Sequence, residues 1–223
     1  MDDDPTSTEP RHRAPSSAGP SDRPAKAKPL TAARLRNIAE HYVGQRESSA
    51  AMLREVLERR LRRHVRGLDP DAAAEEQAVL RPLIEAEVAR LEEAGLVQDA
   101  RYAEMKARAA FASGRGMRRI LRDLGRKGVE DDTARGAIVE AAREFVQAPD
   151  DGVESGDILR AAEVEAAETF ARKKRFGPYR TQPLPEDSSS RAKVWRREAG
   201  AMARAGFGVD TIRRVLDQEP DEG

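Results

Sequence analysis

Apolar residues recur along this chain at the spacing of a helix face. In the segment 50–65, Leu53, Val56, Leu57 and Leu61 fall on one side, while Arg54, Glu55, Glu58, Arg59, Arg62 and Arg63 fall on the others. Leu83, Ile84, Val88 and Leu91 form a second stripe. Met117, Ile120, Leu121 and Leu124 form a third, and Ala134, Ala137, Ile138, Ala141 and Phe145 a fourth. Amphipathic segments at Ala33–Val43, Ala100–Ala112 and Leu159–Lys174 complete the pattern. From 29 to 217 the chain is therefore expected to be helical nearly throughout, an all-α fold.

An internal repeat organises these helices. A shift of 78 residues lays "LGRKGVEDDTARGAI" (124–138) over "MARAGFGVDTIRRVL" (202–216), with identities at Arg126/Arg204, Gly128/Gly206, Asp132/Asp210, Thr133/Thr211 and Arg135/Arg213. Each copy predicts a helix, a glycine in the left-handed conformation, and an apolar residue (Val129 or Phe207) that folds back onto Leu124 or Met202. Asp131 or Asp132, and Asp210, are suited to cap the helix that follows. A weaker third copy aligns "SAAMLREVLERR" (49–60) with "GMRRILRDLGRK" (116–127), matching Leu53 to Ile120 and Leu57 to Leu124. About three tandem units of three helices each follow, expected to form an elongated, curved array.

Residues 1–28 are rich in Pro, Ser, Asp and Ala and carry almost no large apolar side chain, so a disordered tail is expected there. The expected units are 29–94, with an acidic insert "DPDAAAEEQ" (69–77); 95–148; and 149–217, with a proline-containing loop at 176–190. Residues 218–223 make a short acidic end that should fray.

Composition narrows the function classes. Only 4% of the 223 residues are aromatic, so the core must come from Leu, Ile, Val, Met and Ala, which favours helices over sheet. The absence of Cys removes disulfides, thiolate nucleophiles and cysteine-based zinc sites. No apolar run approaches the roughly 20 residues of a membrane helix. The acidic start "MDDDPTSTEP" lacks the apolar core of a signal peptide, so a cytoplasmic protein without a membrane partner is expected. His12, His41 and His64 are isolated, and neither His-Glu-x-x-His nor Gly-x-Ser-x-Gly occurs. The expectation is a protein that is not an enzyme, with no cofactor, no metal and no small-molecule substrate. Gly114 and Gly116 follow no strand and precede no Gly-Lys-Ser/Thr, so they read as a sharp turn between packed helices rather than a phosphate cradle.

Charge changes the picture. The 40 basic and 40 acidic residues cancel, but they are segregated: 34–66 carries a net +5, 69–93 a net −6, 115–128 a net +5, 150–168 a net −6 and 170–197 a net +7. In the second basic block, Asp123 is the one carboxylate among Arg115, Arg118, Arg119, Arg122, Arg126 and Lys127, so pairing within the helix cannot neutralise it. These six, together with Arg172, Lys173, Lys174 and Arg175 and with Arg191, Lys193, Arg196 and Arg197, are the candidate binding residues for phosphates or an acidic protein surface. Trp195, spaced helically with Ala199 and Met202, reads as core, as do Tyr102, Phe111 and Phe207. Tyr179, in the loop, reads as an exposed contact.

Three stretches resemble the bacterial RecX regulatory proteins: "YVGQRESSAAML" (42–53), "GLVQDARYAEMKARAAFASGRGMRRILRDLGRKGV" (95–129) and "RAKVWRREAGAMARAGFGVDTIRRVL" (191–216). The resemblance covers roughly 33–217. It implies tandem three-helix repeats without catalytic activity that bind the RecA recombinase, chiefly as its filament on single-stranded DNA. Such a protein restrains filament assembly, ATP hydrolysis, strand exchange and repressor cleavage in DNA repair and the SOS response, and some members bind DNA directly. The alternative is a helical DNA-binding protein that acts without RecA. The sequence departs from the family pattern in three places: no glycine ends the basic helix of the first unit after Arg60, and there are the stretch 69–77 and the loop 176–190.

Overall fold

The computed structural model describes residues 29–149 and 152–218; the expected tail 1–28 and all but Gln218 of the acidic end lie outside them. The described residues form nine α-helices and one 3-10 turn, with no strand among them. The helices are α1 (Ala32–Val43), α2 (Ala50–Val65), α3 (Pro70–Glu93), α4 (Asp99–Ala112), α5 (Met117–Gly125), α6 (Asp131–Phe145), α7 (Ser155–Lys174), α8 (Ser188–Ala205) and α9 (Val209–Leu216). The 3-10 turn, Gly177–Tyr179, precedes α8. No helix of the described residues is long and apolar enough to cross a membrane.

Local chemistry explains where these helices begin. Thr31, Ser49 and Asp69 cap α1, α2 and α3, each side-chain oxygen accepting an amide three residues on. Pro70 then takes the first position of α3, where its missing N–H costs nothing. The acidic stretch 69–77 is accordingly the cap and first turns of a 24-residue helix. The caps expected from the repeat are different in the structure. α6 starts at Asp131 after Glu130, α9 starts after Gly208, and neither has a side-chain cap from the expected aspartates. Asp131, Asp132 and Asp210 occupy first turns, where their charge still favours the helix dipole. Glu163 of α7 holds the start of α9 instead, accepting from Gly208 N at 3.3 Å and from the Thr211 hydroxyl at 3.1 Å.

Two cores result. Helices α1–α3 enclose Leu35, Leu53, Leu57, Leu61, Leu80, Ile84, Val88 and Leu91. Leu83, expected in this stripe, is 36% exposed, and Leu80 replaces it because the buried face of α3 steps through 80, 84, 87–88 and 91. Helices α4–α9 share one larger core that includes Tyr102, Phe111, Ile120, Leu124, Ile138, Ile158, Met202 and Phe207. Phe111 stacks on Phe145 at 5.6 Å, and Phe207 meets Phe170 edge-on at 5.8 Å. Full burial of each such side chain contributes about 1.5–3 kcal/mol.

The repeated turns close as their spacing predicts: Val129 N donates to Leu124 O and Phe207 N to Met202 O. Each turn also receives the start of an earlier helix. Ser49, at the head of α2, donates its hydroxyl to Lys127 O at 2.6 Å, and Gly116, at the head of α5, donates its amide to Ala205 O at 3.0 Å. The second contact leaves no room for side chains, since a Cβ on Gly116 would lie 2.3 Å from the Gly206 carbonyl carbon. Gly206 is further constrained by a φ of +100° and by Arg119 N, which would lie 2.6 Å from an added Cβ. Gly206→Ala should therefore cost roughly 2–4 kcal/mol, from strain and overpacking together. Gly125→Ala, with open space around an exposed helical position, should gain up to about 1 kcal/mol. Urea unfolding of the two variants checks this contrast.

Candidate interaction surface

The fourteen candidate cations lie on three elements: in and around α5, at the end of α7, and in the first half of α8. Around α5, Asp123 is shared among three guanidiniums, at 3.5 Å from Arg115, 3.6 Å from Arg119 and 2.5 Å from Arg126. Arg118, Arg122 and Lys127 are exposed and have no carboxylate within ion-pair distance among the described residues. Arg118, Arg122 and Arg126 recur every four residues, so they form a single row along the helix. Of this row only Arg118 lies near the helix start, where positive charge opposes the dipole at about 0.3–1 kcal/mol; Arg122 in the last turn and Arg126 at the C-cap complement it.

Beside this row runs a groove of about 820 Å³ between the head of α2, α4 and α5. Met52, Met105 and Leu124 give it an apolar lining, and at its edge Arg46, Lys106, Arg115, Arg126 and Lys127 outnumber the carboxylates Glu47 and Asp123. Methionine side chains adapt to varied partners, which suits a protein-binding groove. Tyr102, buried beneath it, has its phenol pushed above the ordinary value chiefly by desolvation and stays neutral.

At the end of α7, Lys173, Lys174 and Arg175 are exposed, while the Arg172 guanidinium stacks 5.0 Å from the centre of the Tyr179 ring. Tyr179 is thus half-buried against the larger core rather than a free contact. On α8, Arg191, Lys193, Arg196 and Arg197 are exposed. Asp187 caps this helix; its carboxyl is held below the usual value chiefly by the Ser190 backbone amide. Trp195 sits at the rim of the core, half-buried, and donates its indole N–H to Asp217 at 2.9 Å. No ion pair, hydrogen bond or ring contact among the described residues joins the three cationic groups directly. The link from α5 to the end of α8 runs through the backbone contact at Gly116.

Sequence reasoning missed the group that positions α8. Glu198, only 2% exposed, accepts from Arg180 Nε at 3.0 Å and Nη2 at 2.6 Å and from Gly177 N at 3.0 Å. This carboxylate pins the loop 176–190 onto the helix that carries Arg191, Lys193, Arg196 and Arg197. A signal was present: Glu198 is spaced three residues after Trp195 and four before Met202, on the apolar face of an otherwise basic stretch. Removing it strands a largely buried guanidinium, so Glu198→Ala should lose about 3–5 kcal/mol. Limited trypsin digestion should then cut at Arg180 well before the parent protein is cut.

Comparison with known proteins places these features. Residues 99–138, which hold α4, α5 and most of α6, match the family model described as RecX, second three-helix domain. Regulatory protein RecX of Myxococcus xanthus (strain DK1622) is 34% identical over 201 residues, 89% of this chain and 90% of that protein. Regulatory protein RecX of Agrobacterium fabrum (strain C58) is 28% identical over 187 residues, 84% of each chain. The crystal structure of RecX from Lactobacillus salivarius superposes with a TM-score of 0.51 at 19% identity, covering 83% of this chain and 96% of that one. A second crystal structure of a regulatory protein RecX gives a TM-score of 0.53 at 16% identity, covering 84% and 72%. At these identities the superpositions speak to the helical fold alone.

Proposed function

This chain belongs to the RecX family of regulatory proteins, and on that premise we propose that it docks on the RecA filament formed on single-stranded DNA and restrains it. The observation that carries the reading is the row Arg118, Arg122 and Arg126 with Lys127, exposed and served by a single carboxylate, on the helix inside the matched segment. A filament of protein and DNA presents a repeating polyanion, and an uncompensated cationic row both speeds the encounter and adds affinity that salt weakens. The neighbouring groove supplies apolar surface for a protein partner, which a ligand of phosphates alone would not use. The cations of α5, in the unit 95–148, and of α7 and α8, in the unit 149–217, would then meet successive filament subunits and oppose subunit addition or closure. The protein acts here by binding, in the cytoplasm where RecA works, and not by catalysis.

The test is the rate of RecA's DNA-dependent ATP hydrolysis on preformed filaments, titrated with this protein at fixed salt beside a free-DNA binding assay. Inhibition is expected at concentrations too low to occupy free DNA; inhibition only at DNA saturation would favour a helical DNA-binding protein acting without RecA. Arg118→Glu with Arg122→Glu should weaken inhibition roughly tenfold while leaving the helical circular dichroism unchanged. Parent-level inhibition by that variant would remove the α5 row from the mechanism.

A further inference from the structure

The outward side of α3 is apolar where a surface helix is normally charged. Leu80, Ile84, Val88 and Leu91 bury its inner side against α1 and α2. On the opposite side Ala78, Val79, Pro82, Ala86 and Ala89 recur at helical spacing, all exposed, with Val79 at 64% and Leu83 at the edge of the stripe. The stripe runs about 17 Å along the helix. Glu85, at its flank, is drawn to Arg54 at 2.8 Å. Asp71 and Glu75 before the stripe and Glu93 after it lie on the same outward side. These three have no cation within ion-pair distance among the described residues; the ion pairs of α3 go through Glu76, Arg81, Glu85, Glu87 and Arg90.

Helix stability does not explain this side. A proline inside a helix costs about 3 kcal/mol, because it cannot donate to the carbonyl four residues back. Bending α3 around its core would account for Pro82 alone. Single surface apolar residues need no explanation, but a helix that is apolar all round is one that is covered. Charge decides by what. Two copies of α3 laid together would set Asp71 and Glu75 of one against Glu92 and Glu93 of the other when antiparallel, and each carboxylate against its like when parallel. The opposite pattern lies in the same chain. The groove of about 820 Å³ between the head of α2, α4 and α5 is apolar at Met52, Met105 and Leu124, and its edge is cationic on balance.

We propose that the α3 stripe of one chain docks in this groove of a second copy, so that the protein associates head to tail. The contact is a helix laid in a groove: Val79, Pro82 and Leu83 meet methionines that repack around varied shapes, and the unpaired carboxylates meet Arg46, Lys106 and Arg126. α3 is held on α1 and α2 by its other side, so the stripe faces away from the chain's own groove, one wall of which is the head of α2. Zero formal charge removes the net repulsion that would oppose association. A contact between two different surfaces continues from copy to copy unless it closes into a ring. It also covers the groove beside the α5 row, so self-association and docking on another protein compete for one surface. The contact itself does not rest on the RecA reading.

The experiment is sedimentation velocity of the full chain alone, from about 1 to about 200 μM, the range suited to an interface at the small end of specific ones. The average sedimentation coefficient should rise with concentration, and rise less at about 0.5 M salt than at about 0.05 M. Two variants separate the surfaces: Val79→Gln with Ala86→Gln in the stripe, and Arg46→Glu with Lys106→Glu at the groove. All four positions are exposed, so the circular dichroism should not change. Each variant alone should associate at least about tenfold more weakly than the parent. An equimolar mixture of the two should form a dimer and nothing larger, since one intact stripe then meets one intact groove. A parent chain that stays monomeric throughout overturns the proposal, as does parent-level association by either variant. A mixture that stays monomeric overturns it too, because a contact between like surfaces is not restored by mixing. Because no RecA is present, the outcome is independent of the filament test.

Discussion

The architecture depends on how helix ends are satisfied. A helix leaves carbonyls unpaired at its end and amides unpaired at its start, and both are costly when buried. Here the start of one basic helix is laid on the glycine turn of a later helix, so each end supplies what the other lacks. Gly116 N reaches Ala205 O, and one repeat earlier the Ser49 hydroxyl reaches Lys127 O. Asp99 strengthens the earlier contact by accepting from Ala50 N at 2.8 Å. The chemistry of the donor has changed between the two contacts, amide in one and hydroxyl in the other, but the acceptor is in both cases the carbonyl just before a turn glycine. Such close approach demands small residues, and both contacts have them: Gly116 and Gly206 in one, Ser49, Ala50, Ala51 and Gly128 in the other. Burying the helix heads in these contacts leaves the later turns of α2 and α5, with their arginines, facing outward.

The same economy explains how a chain of zero formal charge keeps exposed cationic faces. Several of its carboxylates act inside the fold as hydrogen-bond acceptors. Glu198 holds Arg180 and Gly177, Glu163 holds Gly208 and Thr211, and Glu87 holds Arg90, which also reaches Glu40. A buried carboxylate needs such partners to offset its desolvation. Groups committed in this way cannot also screen Arg118, Arg122 or Lys127. Segregation of charge along the sequence thus becomes separation between interior acceptors and exterior donors.

Helices and most core positions were legible because both rest on periodicity, which the sequence displays directly. The errors came where a tertiary partner decided the outcome. Leu83 and Leu80 are equally apolar, and only the packing of α3 against α1 and α2 selects Leu80. Asp210 is a good capping residue in isolation, but α9 begins one residue before it, behind Gly208, whose amide is held by Glu163 from 45 residues away. Trp195 has the spacing of a core residue, yet its indole N–H needs an acceptor, and Asp217 at the rim provides one. Of the candidate surface, the cationic residues could be named from the sequence, because charge runs are visible there. Which of them lack a counter-charge could not, since that depends on where Asp123 points.

The first helix group shows what happens when one element of the repeat is lost. With no glycine to end it after Arg60, α2 reaches 16 residues against the nine of α5. The extra turns add Leu61 to the apolar stripe, and a longer stripe needs a longer partner to cover it. α3 meets that need: it runs 24 residues, contributes Leu80 and Ile84 to the core with Leu61, and places Glu76 3.5 Å from His64 near the end of α2. The acidic start of α3 and the uninterrupted run of α2 therefore act together in this helix group. Its outer face is the cationic extension of α2, exposed because α3 covers only the apolar side.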